Sequence, residues 1–191
     1  MPADITPAEM AAWVADYEAH ERSSWVVEVD PDEALRIAQE RHDSEEYKGR
    51  MLIKDSLKIN QIGAMGELAG HKRLGFPYPV SVPGGDGGVD VRIKFRQREK
   101  EVTIDIKTRS KASHDLLLIT QDKFAHASDW LIMARLLDAR YVELVGWECK
   151  SILALHTPQD FGYGRPSYAR PAYQLRPMYQ LEYLLQMRQA A

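Results

Sequence analysis

GAMGELAGHKRLGFPYPVSVPGGDGGVDVRIKFRQREKEVTIDIK, residues 63–107, is the stretch whose reading decides the fold of this 191-residue chain. Its first part has helical spacing but is crowded with small residues: Gly63, Ala64, Gly66, Ala69 and Gly70 surround Glu67. Each glycine costs a helix about 1 kcal/mol against alanine. Close approach of the helix to a sheet is the gain that offsets this cost. Such packing takes Glu67 out of bulk water, where a lone carboxylate is expensive unless it is paired or metal-bound. His71, one turn later, shares nearly the same face and is expected at the surface or on a phosphate. Gly75-Phe76-Pro77-Tyr78-Pro79 stops the helix.

Val80–Val82 reads as a short strand. Residues 83–88, Pro-Gly-Gly-Asp-Gly-Gly, form a turn whose glycines admit positive φ and close approach of a ligand. No Gly-Lys-Ser/Thr follows it, so it is not a phosphate-binding P-loop. Residues 89–95 and 102–107 then form a hairpin through the charged segment RQREKE. Val89, Val91, Ile93 and Phe95 share one face of the first strand, with Asp90, Arg92 and Lys94 on the other. Val102, Ile104 and Ile106 share a face of the second, with Thr103, Asp105 and Lys107 opposite. If the apolar faces coincide, opposed residue numbers must sum to an odd value, 195 or 197. Asp90 then stands across from Asp105 or Lys107, with Cβ atoms roughly 5 Å apart.

Three carboxylates and a lysine suit phosphodiester cleavage. Hard oxygen ligands bind Mg²⁺ or Mn²⁺, and the ion acts as Lewis acid and water activator. Glu67, Asp90 and Asp105 are the candidate ligands, and the backbone carbonyl of Ile106 is a further one. Lys107 is placed to orient the attacking water and to offset transition-state charge. Asp86 is a weaker alternative to Asp90. Taken alone, a D-x-K triplet arises by chance on any polar strand, and the competing reading is a solvated hairpin face whose charges pair with each other.

Asp90, fourteen intervening residues and Asp105-Ile106-Lys107 resemble the PD-(D/E)XK nuclease superfamily. Gly66-Glu67 is similar to the helical glutamate of many members, among them Holliday-junction resolvases and phage exonucleases. The resemblance spans approximately residues 59–147. Val89 stands where the family motif has proline, and no Gln-x-x-x-Tyr motif follows the lysine. The resemblance implies an α/β, restriction-endonuclease-like core with a central mixed β-sheet flanked by helices. It further implies metal-ligand roles for Glu67, Asp90 and Asp105, a catalytic role for Lys107, and a DNase working in phage or bacterial DNA processing. The metal chemistry admits RNA as a substrate too. The alternative from a different class is an inactive nucleic-acid-binding or assembly module of the same fold.

Outside that stretch, charge is unevenly divided. Residues 1–47 hold thirteen Asp/Glu against three Arg, a net −10; residues 48–191 hold twenty-two basic and fifteen acidic side chains, a net +7. The expected organisation is an acidic helical arm over 1–47 and a nuclease-like domain over 48–191. Thr6-Pro7-Ala8-Glu9 and Asp30-Pro31-Asp32-Glu33 are helix-start patterns with proline at the first helical position. The arm is expected to be solvated, with a role in oligomerisation or partner binding as the sharper reading. Lys72 and Arg73, Arg92 and Lys94, and Arg109 and Lys111 are candidate phosphate contacts in the basic part. A helix is expected from about Ser44 to Leu74, broken near Lys58–Asn60. Strands are expected at 116–119, 129–134 and 141–147, short helices at 121–128 and 151–153, and an extended tail ending in a helix near 179–187. The single cysteine, Cys149, excludes an intrachain disulfide and a thiolate zinc site. No membrane span or signal peptide is expected, which makes the cytoplasm the default location.

Overall fold

A computed structural model describes residues 24–43, 56–78, 89–95, 101–111, 113–162 and 164–186. In chain order the elements are strand β1 (Val26–Glu28), helix α1 (Pro31–Asp43), helix α2 (Ser56–Leu74), and strands β2 (Val91–Ile93), β3 (Val102–Arg109) and β4 (Leu116–Thr120). There follow a single turn α3 (Gln121–Phe124), strands β5 (Trp130–Leu136) and β6 (Tyr141–Cys149), and the short helix α4 (Lys150–Leu153). The chain closes with strands β7 (Gln159–Asp160) and β8 (Pro166–Pro171), a 3₁₀ turn (Ala172–Gln174) and helix α5 (Met178–Gln186).

The fold is mixed α/β. Five strands form one mixed sheet in the order β1-β6-β5-β3-β2, and β4-β8-β7 form a second, antiparallel sheet. Only β3 and β5 run parallel in the larger sheet, because α3 and β4 lie between them in sequence and supply the crossover. Strand alternation sorts the core onto two sides. Ile104, Ile106, Ile132 and Ala134 point into the larger cluster with Ala64, Met65, Leu68 and Ala69 of α2. Leu131 and Met133, one residue out of phase, point into a smaller cluster with Leu117, Ile119 and Leu153.

The helix ends follow from local chemistry. Asp30 caps α1: its Oδ1 accepts from the Asp32 amide at 3.0 Å, and its carbonyl accepts from Ala34 at 3.1 Å. Gly75, at φ 71°, ends α2 in the left-handed region, and the Phe76 amide returns to the His71 carbonyl at 3.0 Å. The break expected at Lys58–Asn60 does not occur, since α2 runs unbroken from Ser56 to Leu74. The α2 residues following that point gain enough from packing on the sheet to hold the helix together despite its glycines.

Two expectations change here. The segment joining the arm helices is not a linker: Val26–Glu28 pairs with Tyr141–Glu143 as the edge strand of the larger sheet. Trp25, Val27, Val29, Ala34 and Ile37 belong to the main core. This part of the expected solvated arm is therefore built into the body; residues 1–23 and 44–47 lie outside the described residues. The tail is not simply extended either. It supplies β7 and β8 to the second sheet and then crosses β6, where Trp147 and Arg176 exchange backbone hydrogen bonds of 3.0 and 2.9 Å. The helix expected over 121–128 is reduced to Gln121–Phe124. The strand expected at Val80–Val82, the glycine turn and Asp86 lie outside the described residues.

Candidate functional site

The hairpin pairs in one of the two anticipated registers. Val91 faces Ile104, Arg92 faces Thr103 and Ile93 faces Val102, so opposed numbers sum to 195 over these three pairs. The ladder of β2 ends at Val91, and Asp90 continues the contact by itself. Its amide donates to the Ile104 carbonyl at 2.9 Å, and its Oδ2 accepts from the Ile106 amide at 2.6 Å. A carboxylate thus stands where the next strand residue would offer a carbonyl.

Asp105 and Lys107 project from β3 beside Leu131 and Met133 of β5, toward the smaller core cluster. Asp105 is 5% exposed, and its Oδ2 lies 2.5 Å from Lys107 Nζ. Two residues apart on a strand share a face, so the D-x-K spacing itself creates this ion pair. The lysine side chain is 38% exposed and reaches solvent.

The Glu67 helix docks as closely as its glycines imply. A Cβ on Gly66 would sit 1.9 Å from Thr108 Oγ1, and one on Gly70 would sit 2.3 Å from Ile106 Cδ1. Both contacts are to the face of β3 opposite Asp105 and Lys107. Apolar packing puts Ala64, Leu68 and Ala69 with Ile104 and Ile106, so the helix covers the apolar side of β3 and not the D-x-K face.

Glu67 is buried and engaged. Arg41, at the end of α1, grips it with two guanidinium nitrogens: Nη1 donates to Oε1 at 2.9 Å and Nη2 to Oε2. The Tyr78 hydroxyl donates to Oε2 at 2.9 Å and accepts from Arg41 Nη2 at 3.0 Å. A bidentate guanidinium–carboxylate pair is among the stronger charge-assisted contacts, and here it answers the cost of burying the carboxylate. Burial, with the negative charge of Glu67 next, raises the Tyr78 phenol well above its ordinary range, so it stays a neutral donor.

His71 also departs from expectation. It is 4% exposed and lies edge-on to Tyr78, with ring centroids 5.0 Å apart. Its Nδ1–H donates to the Pro77 carbonyl at 3.0 Å, while Nε2 is buried without a hydrogen-bond partner. Burial lowers its pKa; the Pro77 carbonyl and the charge of Glu67 push the other way and offset this only in part. The ring is a packed connector between α2 and the loop after it.

Among the described residues, no three His, Cys, Asp or Glu side chains are gathered closely enough to hold a metal ion. Asp90 and Asp105 offer hard oxygen donors on neighbouring strands of one hairpin, the chemistry a divalent cation takes. Glu67 does not join them as its side chain stands. The Ile106 carbonyl lies between the two outward residues of β3, with its amide on Asp90.

The candidate phosphate contacts divide. Arg92, Lys94 and Lys111 are exposed. Lys72 is exposed but donates to the Glu28 carbonyl at 2.9 Å. Arg73 ties three elements together: it lies over the Trp25 ring at 3.9 Å and pairs with Glu182 of α5 at 2.8 Å. Arg109 Nε donates to the Leu116 carbonyl at 2.8 Å and fixes the start of β4. Arg73 and Arg109 are thus structural in the first place. Arg41 and Tyr78 are the residues that sequence reading did not select. Neither has a local motif, since Arg41 meets Glu67 across 26 positions of sequence.

No described helix is long and apolar enough to cross a membrane. Comparison with known protein families, with curated proteins and with solved structures found no match.

Proposed function

We propose that this chain is a Mg²⁺- or Mn²⁺-dependent nuclease acting on DNA, with a restriction-endonuclease-like core. The reading is supported by one observation above the others: Asp90, at the end of the β2–β3 ladder, accepts from the Ile106 amide, which lies between Asp105 and Lys107, themselves an ion pair. In this reading Asp90, Asp105 and the Ile106 carbonyl would hold the cation, which would supply Lewis-acid polarisation of the phosphate and activation of water. Lys107 is the exposed member of the cluster. Its ammonium leaves the Asp105 carboxylate, orients the attacking water by hydrogen bonding, and balances negative charge as it grows on phosphorus. Arg92, on the same face as Asp105, and Lys94 and Lys111 nearby in sequence supply phosphate contacts. The setting that goes with this activity is DNA processing in the cytoplasm of a bacterial or phage-infected cell.

A second reading has its own support. Lys107 neutralises Asp105 and Arg41 neutralises Glu67, so both acids have complete ion pairs without a cation. That pattern favours a nucleic-acid-binding or assembly module without turnover. One experiment separates the two. Circular, linear, single-stranded and branched DNA, and RNA, are incubated with wild type and Lys107→Ala in Mg²⁺, Mn²⁺ or EDTA. Cleavage that needs the metal and Lys107 supports the nuclease; retained binding with no cleavage under any condition supports the module. Cleavage that survives both EDTA and Lys107→Ala refutes this site.

A further inference from the structure

We propose that the cleft between the β1–α1 junction and the end of α2 binds a small organic cation, an ammonium carried on an aliphatic chain. The site does not draw on the hairpin acids, and it stands whether or not the chain cleaves nucleic acid. Three observations carry it.

The first is room of a suitable kind. A cavity of about 280 Å³ opens there over the buried side chains of Val29 and Leu68, with Phe76 and Tyr78 among its walls. At about 30 Å³ for each molecule of liquid water, this is the space of about nine waters. A short run of methylenes with a charged head fits such a volume. Its apolar part finds an apolar floor, and its charge is drawn to aromatic rings.

The second is the charge of the lining. Glu28, Asp30 and Glu33 face one cation, Lys72, whose Nζ already donates to the Glu28 carbonyl at 2.9 Å. The carboxylates keep room for a donor. Glu33 has no ion pair or hydrogen bond from its side chain to a described residue. Glu28 reaches Arg140 only at 3.7 Å, and Asp30 uses one oxygen, Oδ1, to cap α1. Among the described residues no three His, Cys, Asp or Glu side chains are gathered closely enough for a metal ion. The cation these acids suit is therefore one that brings its own N–H donors.

The third is an unanswered acceptor in the wall. His71 lines the cavity and is 4% exposed. With Nδ1–H given to the Pro77 carbonyl, Nε2 presents a lone pair, and it is buried without a hydrogen-bond partner. A buried acceptor left unpaired is costly, and a ligand with donors relieves that cost. An ammonium has three donors and no acceptor, so it matches a lining made of carboxylates and one imidazole lone pair. Free polyamines and lysine side chains carry the same head group, and the test separates them.

The test is a ¹H–¹⁵N NMR titration of the full chain without nucleic acid. One arm uses spermidine and the other Nα-acetyl-lysine methylamide. The amides of Val29, Glu33, Lys72 and Phe76 should shift and saturate in at least one arm. Saturation by spermidine alone assigns a free polyamine, and saturation by the lysine derivative assigns the side chain of a peptide. Glu33→Gln should weaken binding up to about fivefold, the size of one exposed ion pair. Glu28→Gln/Glu33→Gln should weaken it further, and Phe76→Leu about fivefold through the lost ring. Glu28 and Glu33 are exposed, so their substitution leaves the fold intact. 1,6-Hexanediol and hexanoate, which lack the ammonium, should leave these amides unmoved. The site is overturned if neither probe shifts them, if hexanediol shifts them as spermidine does, or if binding is undiminished in both Glu28→Gln/Glu33→Gln and Phe76→Leu.

Discussion

Replacing Gly66 with alanine tests the helix–sheet contact on which the position of Glu67 depends. The added methyl would lie 1.9 Å from Thr108 Oγ1 and 3.0 Å from both Thr108 Cβ and Cγ2. Thr108 is short and β-branched, so turning χ1 exchanges one clash for another. The helix must move off β3, and overpacking of this kind costs about 1–3 kcal/mol. Alanine returns about 1 kcal/mol through helix propensity. The net expectation for Gly66→Ala is a loss of up to about 2 kcal/mol, or up to about 8 °C in Tm for a chain of this size. Gly70→Ala is the control. Its methyl meets the far end of Ile106, Cδ1 at 2.3 Å with Cγ1 already at 3.5 Å, and that terminal methyl can rotate away. There the propensity gain and the packing cost should nearly cancel. Urea denaturation of both variants, with the midpoint compared at unchanged slope, measures the difference. Adding Thr108→Ala to Gly66→Ala should recover part of the loss, but not all, because Thr108 Cβ remains tight. If Gly66→Ala is as stable as Gly70→Ala, α2 does not sit on Thr108 and the placement of Glu67 falls with it.

Lys107→Ala should reduce cleavage about 10²–10³-fold, the usual loss on removing one preorganised charge from a transition state; initial rates on the preferred DNA in Mg²⁺ measure it. Glu148 is 2% exposed between Arg176 at 3.2 Å and Arg170 at 3.5 Å, and its Oε1 accepts from the Cys149 amide. Glu148→Ala strands two cations, Arg170 of β8 and Arg176 beside β6, and should cost about 3 kcal/mol in urea denaturation, toward the lower end for a broken buried pair because Arg176 is partly exposed. His71 has a folded pKa below its ordinary 6.5, caused by burial. The unfolded chain therefore takes up the proton first, and stability should be flat above about pH 7 and fall as pH drops through 6.5 toward the folded value. Denaturation midpoints between pH 8 and 5 should show that slope in wild type and a shallower one in His71→Gln.

What could be read from the sequence and what could not divide along the distance between partners. Strand parity between Val91 and Ile106 required opposed numbers to sum to an odd value, because a one-residue slip would put Asp105 on the buried face with Val91 or Arg92 on it with Ile104; the position of the turn narrowed the choice to two. The small residues flanking Glu67 foretold a close helix–sheet contact, since nothing else repays so many glycines in a helix. Which face of β3 receives the helix follows the same pattern: Ile104 and Ile106 mark the apolar side, opposite Asp105 and Lys107, and α2 docks there. The break at Lys58–Asn60 was inferred from local propensity, which tertiary packing overrode. The pairing of Val26–Glu28 into the larger sheet had a local signature, Trp25-Val26-Val27, but the acidity of its surroundings suggested solvent.

The Arg41–Glu67 pair explains why charge balance misled the reading of the first 47 residues. Their excess of acid suggested a detached arm, yet one of its three arginines is directed inward and neutralises the acid of the partner helix. That choice has a consequence for the site. With α2 on one face of β3 and the D-x-K pair on the other, Glu67 and Asp105 cannot meet through the strand; they can meet only around it, where the β2 ladder ends. Asp90 stands at that point, with its amide on Ile104 and its carboxylate on Ile106. On the proposed nuclease reading, a cation bridging the two hairpin acids would have to draw Asp90 partly off the Ile106 amide and Asp105 off Lys107. Both displaced partners are hydrogen-bond donors of the kind that binds phosphate, so in that reading metal and polyanion would each favour the binding of the other.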